Sequence, residues 1–144
     1  MQKLLIIDGQ GGKIGRQLIE AFCQNGFPVE ITAVGTNSIA TGNMIKGGAK
    51  NAATGENAVV VACRTADLIV GPIGIVIADS LLGEITPRMA EAVGQSRAKR
   101  VLIPVNKCDN IVVGSVDQPL SSMISKTIET VRSLLGSEPR PETP

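Results

Sequence analysis

The densest chemistry in the sequence is the run Asp8-Gly9-Gln10-Gly11-Gly12-Lys13-Ile14-Gly15-Arg16. It is preceded by the apolar residues Leu4-Leu5-Ile6-Ile7 and followed by apolar residues at helical spacing. A glycine-rich turn between a strand and a helix is where an α/β sheet takes phosphate. Glycines permit the tight turn and the close approach of backbone, the helix N-terminus presents unpaired N–H groups, and its dipole favours negative charge. Lys13, in the first helical turn, adds a point charge. Gly9, Gln10, Gly11, Gly12, Lys13, Ile14 and Gly15 are therefore the candidate cofactor-binding segment. Asp8, at its mouth, either orients a bound hydroxyl or a metal, or only satisfies N–H groups of the turn. The competing explanation is a tight turn that packs a helix on a sheet and holds no ligand. Gly9-x-Gly11 is followed by Gly15, with Ile14 where the dinucleotide pattern has glycine, so the turn is one residue longer. The P-loop pattern G-x-x-x-x-G-K-[S/T] is absent.

Other short segments are candidates for the same pocket. A typical NAD site places an acid at the end of the second strand to hold the ribose. Here Gly35-Thr36-Asn37 stands there without one, which disfavours NAD and leaves NADP, a mononucleotide or another phosphorylated metabolite. Thr36 and Asn37 can hydrogen-bond a ribose or a 2′-phosphate. Gly71-Pro72-Ile73-Gly74 follows another apolar run, so Gly71, Pro72 and Gly74 form either a second pocket wall or a plain turn. Thr54, Glu56 and Asn57 lie in the polar segment Ala53-Thr54-Gly55-Glu56-Asn57. Glu56 there is an acid–base or ribose-binding candidate, although a carboxylate at a helix start also serves the dipole. Glu84, in Gly83-Glu84-Ile85-Thr86-Pro87, is open to the same two explanations, or to contact with a partner subunit. Asn106-Lys107-Cys108-Asp109 matches the Asn-Lys-x-Asp guanine motif, a short pattern prone to coincidence.

Composition removes whole classes of chemistry. With no His, Tyr or Trp among 144 residues, a Ser-His-Asp triad, a His-ligated metal site and a Tyr-Lys hydride-transfer pair are all excluded. Catalysis, if any, falls to Asp, Glu, Lys, Cys, Ser or Thr, and no metal is expected. An aromatic fraction of 1% leaves no platform for stacking bases, and a net charge of +1 without a basic cluster disfavours nucleic acid. Three widely spaced cysteines, Cys23, Cys63 and Cys108, read as small buried hydrophobes rather than a disulfide framework. The start, Met1-Gln2-Lys3, lacks a signal-peptide layout. The apolar stretch 68–78 is broken by Gly71, Pro72 and Gly74, well short of the roughly 18 residues of a membrane span. A soluble, cytoplasmic protein is expected.

These residues need elements to position them. Residues 4–7 form a strand buried on both faces, 13–25 a helix with Pro28 preventing its continuation, and 29–34 a second strand. That strand–helix–strand unit marks a right-handed parallel crossover. Residues 38–48 read as a helix. Residues 56–66 carry both signals, Val59-Val60-Val61 for a strand and an Ala-rich end for a helix; helix is preferred because another strand, 67–70, follows at once. An apolar helix is expected over 75–82, then one capped by Thr86 with Pro87 at its first position, ending near Ser96. Residues 101–105 form the next strand and 111–113 a short edge strand. A last helix from about Asp117 carries Leu120, Ile124, Ile128, Val131 and Leu135 on one stripe. The expected fold is α/β: a Rossmann-like, three-layer, doubly wound, mostly parallel sheet. It makes one domain over residues 1–135, with a flexible Pro-rich tail over 136–144.

Two resemblances add to this. The run from Gly9 to Ile19 is similar to the nucleotide-binding turn of dihydrodipicolinate reductases, which implies a pyridine dinucleotide at the turn. That family's histidine-containing catalytic segment and second domain have no counterpart here. Five blocks resemble a short bacterial family catalogued as domain of unknown function 3842. They are 7–12, 35–41, 53–58, 71–75 and 83–87, within a similarity spanning about residues 3–114. Two functions remain open: a nucleotide or dinucleotide binder, with or without catalysis, and a non-catalytic homodimeric module paired through the helix 121–135.

Overall fold

The computed structural model describes residues 1–105 and 109–136. Five strands and five helices follow one another along the chain: β1 (Gln2–Asp8), α1 (Lys13–Gln24), β2 (Val29–Gly35), α2 (Ser38–Lys46), β3 (Asn51–Thr54), α3 (Glu56–Cys63), β4 (Leu68–Pro72), α4 (Pro87–Gln95), β5 (Lys99–Ile103) and α5 (Leu120–Gly136). The strands form one sheet in the order β3-β2-β1-β4-β5. Every pairing is parallel, with Leu4 level with both Ile31 and Leu68. This is the doubly wound order, in which the direction of winding across the sheet reverses between β1 and β4 and opens a crevice at their carboxyl ends.

Apolar residues alternate between two cores because successive strand side chains point to opposite faces. On one face Leu4, Ile6, Leu68 and Val70 pack against Leu18, Ile19 and Phe22 of α1 and Ile124, Ile128 and Val131 of α5. On the other, Leu5, Ile7, Val34 and Ile69 pack against Val59 and Cys63 of α3 and Met89 and Val93 of α4. The central strand β1 is buried on both sides, which explains its uninterrupted apolar run. The α5 stripe is spent on this protein's own core, so the dimer surface expected on residues 121–135 does not exist in that form.

Several expectations need correction. The strand β3 was not anticipated, because Asn51-Ala52-Ala53-Thr54 has neither an apolar run nor alternation. It is an edge strand with all four residues exposed, specified by its ladder to β2. The apolar segment expected as a helix over 75–82 is instead one 3-10 turn, Ile73–Val76, followed by consecutive turns. Asp79, Leu81 and Leu82 all have left-handed φ there, and the Asp79 N–H donates back to the Ile85 carbonyl at 2.7 Å. Residues 111–113 form no strand, and Ile111 and Val113 are exposed. The last helix begins at Leu120, and β5 spans Lys99–Ile103 rather than 101–105. Cys63 is buried as expected, with its thiol pushed up to about 11 by that burial, whereas Cys23 is exposed. Cys108 and the residues of the tail from Ser137 onward lie outside the described residues.

The first turn shows why particular glycines are needed. Gly12 caps α1 with φ +73°, and a Cβ there would lie 2.6 Å from the Ala40 Cα of α2. Gly11, one residue earlier, has nothing within 4 Å of a Cβ position. Gly12→Ala is therefore expected to destabilise the fold by about 3 kcal/mol, from left-handed backbone and overpacking together. Gly11→Ala should stay within about 0.5 kcal/mol. Urea unfolding of both variants checks the contrast, and equal midpoints would contradict it.

Candidate functional site

At the carboxyl end of β1 the chain enters the glycine turn and leaves it as α1. The Gly12 N–H donates to the Gly9 carbonyl at 2.9 Å, and Gln10 has φ +50°. Asp8 is buried, and both its oxygens are engaged: Oδ1 accepts from the Gly9 N–H at 2.8 Å and Oδ2 from the Gly15 N–H at 2.7 Å. It thus takes over part of the helix N-terminus. Burial is the main influence on Asp8 and raises its pKa, outweighing the N–H groups of Gly15 and Gly9; the charge of Glu84 raises it further. Gly15 is required by this arrangement, since a Cβ would lie 3.0 Å from the Asp8 Cβ and 2.6 Å from the Met44 Sδ.

A second carboxylate reaches the turn from the segment after β4. Oε1 of Glu84 accepts from the Gln10 N–H at 2.9 Å, the Thr36 hydroxyl at 2.6 Å and the Asn37 amide at 2.7 Å. Desolvation raises the Glu84 pKa, but the three donors outweigh it and hold the carboxyl below its ordinary value. Asn37 does several things at once. Its Oδ1 caps α2 by accepting from the Ala40 N–H at 2.9 Å, and its Nδ2 also donates to the Gln10 carbonyl at 3.0 Å. Asn43 closes the outer side by donating to the Gly11 carbonyl at 2.6 Å.

The turn from Asp8 to Ile14 floors a cleft of about 270 Å³, walled by Leu81, Val105 and Leu120. With Asp8 on Gly9 and Gly15, and Glu84 on Gln10, the N–H groups of Gly11 and Lys13 are without partners among the described residues. Gly11 and Lys13 thus line a small cleft at the sheet's switch point with unpaired backbone N–H groups, a composition that suits an anion. Among the described residues, no group of three or more His, Cys, Asp or Glu is placed to hold a metal ion. No described helix is long and apolar enough to cross a membrane.

The sequence matches the family model described as domain of unknown function (DUF3842) over residues 3–136. The chain belongs to this family. A comparison with curated proteins finds no match. Among solved structures, the chain is similar to a dodecameric FMN-dependent Ubix-like decarboxylase from Escherichia coli O157:H7. The TM-score is 0.46 at 14% identity, covering 100% of this chain and 98% of that one.

Within the DUF3842 chain, the residues singled out from sequence separate into groups. Asp8, the turn, Thr36, Asn37 and Glu84 form one hydrogen-bonded constellation. Gly71, Pro72 and Gly74 are buried and do not line the cleft. Gly71 lies against the Ile7 carbonyl, and a Cβ on Gly74 would lie 3.0 Å from the Ser80 Oγ, so both glycines serve packing. Thr54 pairs with the Thr41 hydroxyl at 2.7 Å, bracing β3 against α2. Glu56 and Asn57 open α3 and share no hydrogen bond with the turn among the described residues. Residues 106–108 of the guanine-like motif lie outside the described residues, and Asp109 is exposed. Asn43 and the walls Leu81, Val105 and Leu120 had no sequence signal beyond being polar or apolar.

The two carboxylates titrate with opposite consequences. A lowered Glu84 pKa means stability that is present above its unfolded value and lost as pH falls through its folded value. A raised Asp8 pKa means that stability declines as pH rises through the folded value. Against Glu84→Gln, the wild type should lose stability on acidification; against Asp8→Asn, it should lose stability as pH rises from below 3.8. Urea midpoints of the three proteins across the acid range test both signs, and parallel curves would refute them.

Proposed function

We propose that this protein binds a nucleotide or dinucleotide, with phosphate on the turn from Gly9 to Gly15. The observation that carries this reading is the cleft at the switch point, lined by the whole turn from Asp8 to Ile14, in which the Gly11 and Lys13 N–H groups have no partner among the described residues. A volume of about 270 Å³ lies just under the roughly 300–1,000 Å³ usual for small-molecule sites. It suits the phosphate end of a ligand, with the remainder running over the ends of β1 and β2. The resemblance of the turn to that of dihydrodipicolinate reductases keeps pyridine dinucleotides, NADP included, among the ligands to test. Residues 1–135 are taken as the single binding domain. Among the described residues Asp8 is the only carboxylate that lines the cleft, with Glu84 bonded to the turn beside it, so binding is proposed and no reaction is assigned.

The test is a thermal-shift panel of NAD, NADP, their reduced forms, adenine and guanine nucleotides and sugar phosphates. A ligand at about 100 times its dissociation constant should add about 2.7 kcal/mol, roughly 9 °C for a domain of this size. Gly11→Asp puts a carboxylate where the phosphate sits, in space that is open in the fold. It should abolish the shift while leaving the ligand-free midpoint nearly unchanged. A folded Gly11→Asp protein that still responds would sink the assignment of the turn.

One observation favours the second reading, a homo-oligomeric interaction module. An apolar hollow of about 540 Å³, lined by Leu5, Val34, Ala58, Val61 and Ala62, adjoins the exposed edge strand β3. Light scattering that finds a stable dimer, together with no response to any nucleotide, would favour that reading over the first.

A further inference from the structure

Glu84 lies where this fold class holds a ribose, although it does not come from the expected place in the chain. In doubly wound sheets an acid at the end of the second strand accepts hydrogen bonds from ribose hydroxyls. The end of β2 has only Thr36 and Asn37, yet both donate to Glu84 Oε1, at 2.6 and 2.7 Å. The carboxylate is thus delivered to the same point from the turns between β4 and α4, and the Gln10 N–H fixes it over the phosphate turn. Gly9 makes the room: a Cβ there would lie 2.7 Å from the Thr36 Oγ1 and 3.3 Å from the Glu84 Oε1. All three donors use Oε1, so Oε2 is without a partner among the described residues and the side chain is only half-buried.

We propose that Glu84 is the specificity-determining residue of this site, selecting nucleotides with a free ribose diol and rejecting those with a 2′-phosphate. The inference rests on the nucleotide-binding reading above and disfavours NADP, which the bare end of β2 alone leaves open. An ionised carboxylate only accepts hydrogen bonds, so it matches the two O–H donors of a diol. A 2′-phosphate offers an anion instead, and juxtaposed like charges repel. Among the described residues Glu84 has no ion pair to offset that, and Arg16 is paired with Glu20 at 3.0 Å, which leaves Lys13, assigned above to the phosphate of the turn, as the cation of the site.

Isothermal titration with ADP, 2′-deoxy-ADP and 2′-phospho-ADP, on the wild type and on Glu84→Gln, tests this. The wild type should bind ADP about 10-fold more tightly than 2′-deoxy-ADP. It should bind ADP at least about 30-fold more tightly than 2′-phospho-ADP. In Glu84→Gln the discrimination against the 2′-phosphate should shrink to within about threefold, since the amide carries no charge. The wild-type series stands even if the variant is poorly folded. Equal wild-type affinity for ADP and 2′-phospho-ADP overturns the role of Glu84 and leaves nucleotide binding intact. Tighter ADP binding by Glu84→Gln overturns it too, by showing that the carboxylate blocks the turn. No binding of any of the three by the wild type overturns both the inference and the reading beneath it.

Discussion

The buried carboxylate of Asp8 is the fixed point from which the site is built. It closes β1 and, through the N–H groups of Gly9 and Gly15, sets both the entry and the exit of the glycine turn. Burying an ion without partners is very costly, so two backbone donors at 2.7–2.8 Å are what allow it to remain there. Once Gly15 is held by Asp8, α1 must start at Lys13 and lie close against α2, where Gly12 and Gly15 leave no room for a Cβ. The helix N-terminus is then partly neutralised by the protein itself. Of the turn's N–H groups, those of Gly11 and Lys13 stay without partners among the described residues, so the anion site proposed here is narrower than a fully open helix terminus.

Glu84 forms a second layer on this base. Its charge acts on Asp8, raising the Asp8 pKa, while its own three donors keep it ionised. The same three bonds join β1, β2 and the segment after β4, although Glu84 is 74 residues from Gln10 and 48 from Thr36. Because these donors come from separate elements, the carboxylate reports the correct assembly of the sheet's carboxyl end. The structural bracing of this end of the sheet and the proposed ligand selection thus fall on one side chain.

Much of the fold was legible because parallel strands buried on both faces read as unbroken apolar runs, and Leu4 to Ile7 and Leu68 to Val70 do so. The helices α1 and α4 announce themselves by an apolar stripe and by Thr86-Pro87 at the start, where the Thr86 hydroxyl accepts from the Met89 N–H. The edge strand β3 was illegible for the opposite reason: none of its residues is buried, and only the ladder to β2 specifies it. The glycine turn was found from its spacing, and Thr36 and Asn37 from their place after β2. That Glu84 reaches Thr36 and Asn37 at the end of β2 is a long-range contact, and no local pattern encodes it. The same holds for Gly71 and Gly74, whose glycines answer to the Ile7 carbonyl and Ser80 rather than to a ligand.

The segment expected as a helix shows what the site demands of the backbone. In a helix, Leu81, Glu84 and Ile85 would share one face, because residues three and four apart are neighbours. Burying Leu81 and Ile85 would then bury Glu84 beside them. The chain separates them by a run of turns: Leu81 and Ile85 enter the core at 4% and 1% exposure, while Glu84 turns toward Thr36 and Asn37. Left-handed backbone at Asp79, Leu81 and Leu82 costs about 1–2 kcal/mol at each. Burial of Leu81 and Ile85 returns about 1.5–3 kcal/mol apiece, enough to offset most of that cost. Leu82, 96% exposed, recovers nothing by burial, so the residual strain is concentrated next to Glu84. A backbone strained on the two residues before Gly83 and Glu84 is thus retained because it is what sends an acid to the end of β2.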